Sequence, residues 1–326
     1  RLDVANEVPR KFWKEWNRLV RHCNPQAYTV AEIWDDAREF LVDGGFSATM
    51  NYHAFAFPVK GFLIDGRMSA ADFAQQLNER RQQFSPSMQR VLQNLVDSHD
   101  TPRLASMIVN RKYEPYVQPH RFDYDVGERA SPRHWDHFDV SAPDADGRRI
   151  QRLVALMQMT YVGAPMVYYG TEAGMWGGDD PCDRMPMVWP DLQYDGQTAD
   201  PLDRPRQPDA VAFDHQLYDF YAAAIALRRN YPALRTADIQ FLATDDDARA
   251  VAFLRPSDDE RLIVVLNRGD APYSFDLPPG NWRVALHTGN PDQGAVLRPA
   301  DRPASVDVAR LAGVVLVDSQ QTADAK

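Results

Sequence analysis

The spacing of apolar residues changes once along this chain, near residue 236, and that change separates two kinds of structure. Up to that point short apolar runs alternate with amphipathic helical stretches, the pattern of βα units around a parallel sheet. Beyond it the helical period disappears, and short alternating strands follow one another between turn residues, as in an antiparallel sandwich. The sequence therefore predicts an α/β domain over 1–236, an antiparallel β-sandwich over 237–318 and a disordered tail over 319–326.

In the α/β part, apolar runs predict four buried strands, at 28–34, 46–52, 91–96 and 164–169. Helices are expected over about 70–80, around the apolar positions between 150 and 157, and between 217 and 229. An earlier helix begins near Pro9 and is expected to bury one face, made of Phe12, Trp13, Trp16, Leu19 and Val20. In the second part the predicted strands are 239–242, 251–254, 262–267, 273–277, 282–286 and 314–317.

The charge balance narrows the set of partners. With 36 basic and 46 acidic residues the chain has a net charge of −10, which repels phosphate backbones and anionic lipid. We therefore expect no nucleic acid and no membrane as a partner, and no apolar stretch approaches the roughly 18 residues of a membrane span. Cys23 and Cys182 are most simply free thiols, and the scattered histidines show no spacing typical of a metal site.

Three acidic residues stand where predicted strands end. Asp3 closes the opening Arg-Leu-Asp, Glu32 ends the run Tyr-Thr-Val-Ala-Glu, and Asp100 follows His99 after the strand at 91–96. Any one of them alone would more often be a helix cap, a turn former or an ion-pair partner. However, the carboxyl edge of a parallel barrel is where catalytic groups lie, so their shared placement favours a catalytic cluster.

Carboxyl groups in different protonation states are what glycoside cleavage needs. One must be ionised to attack or stabilise the sugar carbon, and one must stay protonated to release the leaving oxygen. Arg1 lies two residues before Asp3 and so points to the same face of the strand, where it can keep that carboxylate ionised. Glu32 is flanked by Ile33 and Trp34 and is better placed to be desolvated and protonated.

Several segments resemble signature blocks of the α-amylase superfamily, and they occur in that family's order. They are RLDVANE at 1–7, AEIW at 31–34 and SHD at 98–100. The first block, GAPMVYYG at 163–170 and GGDDPCDRMPMVW at 177–189 are similar to the neopullulanase and cyclomaltodextrinase branch. The resemblance covers almost the whole chain.

The resemblance implies roles for individual residues. Asp3 would be the nucleophile that forms a covalent glycosyl-enzyme, Glu32 the general acid and later the base, and Asp100 a stabiliser of the transition state. Arg1 and His99 would line the same subsite. The other implied substrate contacts are Asn6 and Glu7 on the leaving-group side, and Asp180 and Arg184 at the far end of the non-reducing sugars.

Two groups of aromatic and histidine residues stay open between a binding role and a packing role. Trp34, Tyr52 and Trp176 would offer platforms for sugar rings or would belong to the core, the latter being more usual for aromatics in a large barrel. In the long stretch 112–148, residues Tyr124, His134, Trp135 and His137 would either shape substrate choice or form a packed loop.

The family barrel has eight strands, and the block expected near its third strand has no counterpart here. The expected fold is therefore the C-terminal half, strands four to eight, of a TIM (β/α)8 barrel, followed by the sandwich. Such a half barrel exposes two unpaired strand edges, so we expect this chain to fold poorly without the missing half. Calcium stays open, with its usual ligands expected in that half, and no other cofactor is expected. A homodimer, formed in this branch through an N-terminal domain, and the localisation stay equally open.

The hypothesis that follows is a retaining enzyme that cleaves α-1,4 glucosidic bonds, with cleavage of α-1,6 bonds left open. Its substrate partner would be an α-glucan or maltooligosaccharide, a cyclodextrin or pullulan. Two alternatives remain from the sequence: a transglycosylase or isomerase of the same family, which keeps all these residues, and a non-catalytic binding subunit, which usually loses a carboxylate.

Overall fold

The structure, a computed structural model, describes residues 1–111, 132, 136–236, 238–289 and 304–318, and the backbone of one further strand at Val296–Arg298. Tyr124, His134, Trp135 and the tail over 319–326 lie outside the described residues. His137 is described and is exposed. Among the helices that are described, none has the length and apolar character needed to cross a membrane.

Helices and short strands alternate through the first part of the chain. In order they are a 3₁₀ turn (Ala5–Glu7), α1 (Arg10–Cys23), β1 (Val30–Ala31), α2 (Arg38–Leu41), β2 (Ala48–Thr49), α3 (Phe57–Val59) between the π-helical segments Tyr52–Ala56 and Lys60–Ile64, α4 (Ala70–Gln82), α5 (Pro86–Gln89), β3 (Gln93–Asn94), α6 (Leu104–Asn110), α7 (Ala145–Thr160), β4 (Ala164–Pro165), β5 (Gln197–Ala199), β6 (Pro205–Asp209), α8 (His215–Asn230) and α9 (Ala233–Thr236).

Parallel pairing links four strands and the start of the chain into one row. β1 pairs with β2 and β3 with β4, while single bridges join Leu2 to Ala31 and Met50 to Gln93. Each of the four predicted strands contains one of these strands, so their positions are confirmed, although regular pairing covers only two residues in each. Because neighbours in the row are parallel, the residues that follow each strand meet at one edge.

The second part is an antiparallel sandwich. Its strands are β7 (Gln240–Asp245), β8 (Ala250–Pro256), β9 (Arg261–Asn267), β10 (Tyr273–Asp276), β11 (Trp282–His287), β12 (Val296–Arg298), β13 (Ser305–Val308) and β14 (Ala312–Asp318). Five of them form a sheet in the order β11-β14-β9-β8-β7, and three form a sheet in the order β10-β13-β12. The six predicted strands are present, whereas β12 and β13 were not predicted.

Both faces of the five-stranded sheet are buried, because side chains along a strand point alternately to opposite faces. On β9, Ile263 and Val265 belong to the core between the two sheets. Leu262, Val264 and Leu266 instead belong to the large core shared with the helices of the first part. Gly313 of β14 has no room for a side chain, since an added Cβ would lie 2.8 Å from Leu156 of α7.

The predicted buried face of α1 is wrong in part. Trp13 and Asn17 are buried, and Trp13 donates through its Nε1 to the carbonyl oxygen of Ala5 at 2.8 Å. By contrast, Phe12 is 53% and Leu19 59% exposed. The helix turns the Trp13 side inward because that side is fixed by hydrogen bonds as well as by packing, with Asn17 accepting from Thr29 at 2.8 Å.

Arginines of the sandwich hold the helices of the first part. Arg255 is fully buried and donates to the carbonyl oxygens of Asp238 and Ala233, each at 3.0 Å, and of Thr160 at the end of α7. Burial lowers the pKa of Arg255 to about 9. Arg268 likewise donates to the carbonyl oxygens of Leu63 at 2.6 Å and Ile64 at 3.2 Å. Two of the acceptors, Thr160 and Ile64, are the last residues of α7 and of a π-helical segment, where carbonyl groups lack partners within the helix.

We expect Arg255→Leu to lower the free energy of unfolding by about 3 kcal/mol or more, because buried carbonyl groups lose their donor. Arg310→Ala is the matched control, since Arg310 also joins the two parts, through Asp146 at 2.7 Å, but its side chain is 39% exposed. The control should change stability far less. Denaturant unfolding of both variants measures the difference, and equal losses would contradict the proposed role of the buried arginine.

Candidate active site

The three acidic residues predicted at strand ends lie at one edge of the parallel row. A backbone hydrogen bond joins Leu2 and Glu32, with the Glu32 N–H donating to the Leu2 carbonyl oxygen at 3.0 Å. Asp3 therefore follows one member of the row and Glu32 follows β1. Asp100 lies beyond β3, in the segment that leads to α6.

A single guanidinium group contacts all three carboxyl groups. Arg1 pairs through Nη1 with Asp3 and through Nη2 with Glu32. The same Nη2 lies 3.5 Å from Oδ2 of Asp100. Asp3 is the most accessible of the three, with its side chain 72% exposed, while the Glu32 side chain is 4% exposed. The cluster therefore offers one open and one enclosed carboxyl group around a shared positive charge.

The environment of Glu32 favours its protonated form. Burial raises the pKa of the Glu32 carboxyl, and the neighbouring Asp100 raises it further. The Val4 N–H, which donates to Oε2 at 3.1 Å, and the charge of Arg1 both lower this pKa without cancelling the rise. A carboxyl group that keeps its proton is suited to protonate a leaving oxygen.

Val4 reaches Glu32 through an unusual backbone conformation. Its φ is 37° and its ψ is 51°, in the left-handed region that β-branched residues seldom occupy. Such a conformation costs on the order of 1–3 kcal/mol and persists where the surrounding structure enforces it. Here it turns the Val4 N–H toward the carboxyl group of Glu32.

Asp100 is held from several sides. His99 Nε2 lies 3.2 Å from its Oδ2, and Arg184 Nη2 lies 3.2 Å from its Oδ1. Its backbone N–H donates to Oγ of Ser98 at 3.1 Å, and Ser98 is bonded in turn to the hydroxyl of Tyr52 at 2.9 Å. Ser98 had not been singled out in the sequence, although it stands two residues before Asp100 in the same block.

The predicted pair Asp180 and Arg184 joins this cluster. Arg184 Nη2 lies 2.6 Å from Asp180, and its Nε donates to the carbonyl oxygen of His99 at 3.0 Å. Asn6 and Glu7 lie apart from the cluster, in the 3₁₀ turn after Asp3, and both are exposed. Nδ2 of Asn6 donates a hydrogen bond to Oε1 of Glu7 at 3.3 Å. The structure thus brings the first pair to the carboxyl cluster and leaves the second on its rim.

Of the three aromatic candidates, Trp34 keeps the most accessible surface. Trp34 is half-buried and stacks on Tyr52 with ring centroids 4.5 Å apart, whereas Tyr52 is fully buried. Trp176 is 5% exposed and lines an apolar cavity of about 320 Å³ beside Met185. Direct contact with a sugar ring is therefore excluded for Tyr52 in this conformation, and its place under Trp34 makes it a support.

No group of three or more His, Cys, Asp or Glu side chains suited to a metal ion occurs among the residues that the structure describes.

Comparison with known proteins matches two parts of the chain to family profiles. Residues 4–119 match the family profile described as alpha amylase, catalytic domain, and residues 242–316 match alpha amylase, C-terminal all-beta domain. A cyclomaltodextrinase of Geobacillus thermopakistaniensis is 31% identical over 292 residues, which are 89% of this chain and 40% of that protein. Neopullulanase 2 of Thermoactinomyces vulgaris is 32% identical over 271 residues, 83% of this chain and 37% of that protein.

Solved structures give the same result. A cyclomaltodextrinase structure superposes with a TM-score of 0.72 at 28% sequence identity, covering 98% of this chain and 45% of that one. The chain therefore spans less than half the length of the cyclomaltodextrinases to which it is similar.

The charges around Glu32 make a testable prediction. Asp100→Asn is expected to lower the pKa of Glu32, because the negative neighbour that raises it is removed, and Arg1→Gln is expected to raise it. Carboxyl ¹³C NMR titration of the two variants measures both shifts. Asp43→Asn serves as the control, since Asp43 is 75% exposed and paired with Lys14. A Glu32 pKa that stays the same in all three proteins would contradict this electrostatic account.

Proposed function

Since this chain belongs to the α-amylase family, we propose that it carries the reaction centre of a retaining glycoside hydrolase acting on α-glucans. The observation that carries the proposal is the contact of one guanidinium with three carboxyl groups of unequal exposure. Asp3, accessible and paired with a cation, is suited to be the ionised nucleophile. Glu32, enclosed and with a raised pKa, is suited to be the acid.

The proposed reaction has two steps. Glu32 gives its proton to the glycosidic oxygen while a carboxylate oxygen of Asp3 attacks the anomeric carbon, so that the leaving sugar departs and a glycosyl-enzyme forms. Glu32, now ionised, then takes a proton from a water molecule that attacks the same carbon and frees Asp3. Two displacements at one carbon return the α-configuration.

Asp100 and its neighbours are proposed to stabilise the charge that develops on the sugar. Asp100 accepts contacts from His99 and Arg184, which fix its side chain toward the same cluster. A carboxylate held in place before the reaction stabilises an oxocarbenium-like transition state without having to reorganise. Arg184 and Asp180 would contact sugars on the donor side, and Asn6 and Glu7 would contact the leaving group.

The substrate class follows from the relatives. The cyclomaltodextrinase, the neopullulanase and an intracellular maltogenic amylase of Bacillus subtilis, 30% identical over 278 residues, are named for α-glucan substrates or products. We propose α-1,4 linkages of maltooligosaccharides or cyclodextrins as the main substrate, with α-1,6 linkages of pullulan as a second class. Trp34 would provide the apolar surface for a sugar ring.

The row of parallel neighbours is proposed to be strands four to eight of a TIM barrel. Leu2 stands for the fourth strand, and β1 to β4 for the fifth to the eighth. In this arrangement the apolar residues Phe12 and Leu19 on α1, and Tyr218 and Ile225 on α8, lie where neighbouring barrel helices would cover them.

Two substitutions in the complete gene product separate the proposed roles. Asp3→Asn should abolish release of α-anomeric product from maltotriose and also turnover of α-glucosyl fluoride, because no nucleophile remains. Glu32→Gln should lower kcat/KM for maltotriose by about 10²–10⁴-fold, the usual worth of a general acid. It should retain the first step with the fluoride, seen as a rapid release of about one equivalent of fluoride, since fluoride leaves without a proton, whereas the second step still lacks its base.

Product anomers are followed by ¹H NMR, with Asp43→Asn as the exposed-carboxylate control. Release of β-anomers by the wild-type protein would refute retention. Absence of turnover of maltotriose, cyclodextrin and pullulan would favour a binding subunit instead.

A further inference from the structure

A buried arginine lies behind the carboxyl cluster. Arg103, three residues after Asp100, is fully buried. Its Nε donates to the carbonyl oxygen of Asp183 at 2.9 Å, and its Nη1 donates to the carbonyl oxygen of Tyr169 at 2.6 Å. The guanidinium carbon lies 4.6 Å from the ring centroid of Tyr168 and 4.7 Å from that of Tyr169. One side chain thus fastens the segments after β3 and β4 to the loop that carries Arg184.

The turn beside this arginine depends on a glycine. Gly170 has a φ of 81°, and a Cβ there would lie 2.2 Å from Sδ of Met175 and 3.4 Å from Nη1 of Arg103. Any other residue would be strained in its backbone and would push against the packing of that turn.

Asp183, whose main-chain carbonyl accepts from Arg103, also carries a buried carboxyl group. Its side chain is fully buried, and within the described residues neither of its carboxylate oxygens has a hydrogen-bond partner, nor has Nη2 of Arg103. The other charged or titratable groups that act on it are Asp180, Arg184 and the Tyr168 hydroxyl. Ionising a carboxyl group in such a place is costly, and burial accordingly raises its pKa.

The pair is connected to the site through one backbone step. Arg184, which follows Asp183 directly, contacts Asp100 at 3.2 Å and donates to the carbonyl oxygen of His99 at 3.0 Å. A displacement of Asp183 therefore moves Arg184 relative to Asp100. No step of the mechanism proposed above uses Arg103 or Asp183.

We propose that Arg103 and Asp183 are positioning residues, which together fix the loop over 179–184 so that Arg184 and Asp180 grip the donor-side sugars and hold Asp100. The proposal rests on the glycoside hydrolase function proposed above. It predicts an effect that grows with the length of the substrate, because sugars beyond the reacting one depend on the loop and the reacting one depends mainly on the carboxyl cluster.

The kinetic test compares maltohexaose with α-glucosyl fluoride, which occupies only the reacting subsite, in the complete gene product. In Arg103→Met the ratio of kcat/KM for maltohexaose to that for the fluoride should fall about tenfold, mainly through KM. Arg103→Lys, which keeps the charge but not the two-pronged donor geometry, should recover part of the loss. Arg204→Met is the matched control, since Arg204 lies in the same long loop, paired with Asp200 at 2.6 Å.

An unchanged ratio in both Arg103 variants would overturn the proposal. An equal loss on both substrates would overturn it too, since that outcome indicates a general structural defect. Should Arg103→Met fail to fold, Arg103→Lys and Asp183→Asn carry the same comparison, and the same outcomes decide it.

A second readout does not need turnover. Burial raises the pKa of Asp183 to about 7, and the charge of Arg103 limits that rise. Because the folded pKa is above the unfolded value of about 3.9, the contribution of this group to stability is present at low pH and is lost as pH rises toward 7. The wild-type melting temperature should therefore fall between about pH 4 and 7 more steeply than that of Asp183→Asn.

Equal slopes would show that the buried Asp183 carboxyl group has no raised pKa in the folded protein, and would overturn its part in the proposal. This result is distinguishable from failure of the proposed function, which would show as absence of α-glucan turnover in the wild-type protein while the difference in slopes persists.

Discussion

Three carboxyl groups at one edge of a parallel row repel one another, and the local structure is arranged around that repulsion. Two unit charges 4 Å apart interact by about 4 kcal/mol at an effective dielectric constant of 20. Arg1 offsets this repulsion by contacting Asp3, Glu32 and Asp100 at once. A proton on Glu32 offers a second relief, and burial shifts the equilibrium in that direction. The positive charge of Arg1 and the proton on Glu32 are also what two carboxyl groups need if one is to act as a nucleophile and the other as an acid.

Most of the candidate site could be predicted from the sequence, because the carboxyl ends of parallel strands lie at one edge of the sheet. A carboxylate after each predicted strand must reach the same edge, so Asp3, Glu32 and Asp100 followed from position alone, while their separate roles came from the family resemblance. Whether a side chain is buried or exposed does not follow from its position in the sequence. Tyr52 was a candidate platform, yet the structure buries it under Trp34, since an aromatic at a strand end packs inward or faces the opening with the same sequence spacing.

The sequence predicted elements correctly where a regular apolar spacing extends over many residues. It failed where contacts with distant residues determine which face is buried or whether a short strand forms. The helical spacing of α7 and α8 locates them without further information. The face of α1 depends instead on which neighbours are present, and the hydrogen bonds of Trp13 and Asn17 select it over the more apolar side. The strand β13, four residues long, pairs with β10 and β12 from separate parts of the chain. So short a run carries too little periodicity to be distinguished from a loop.

Buried arginines, more than ion pairs, connect the parts of this acidic protein. Arg255, Arg268 and Arg103 each donate to at least two main-chain carbonyl oxygens, of which at least one lies 80 or more residues away along the chain. A main-chain carbonyl group is present whatever the side chain of its residue. Substitution of the accepting residue therefore leaves the acceptor in place. The donating side is strict, because a lysine is a point charge and cannot span two carbonyls in the same plane. Of these three arginines, Arg103 is the one whose contacts reach the loop of Arg184, which in turn contacts Asp100.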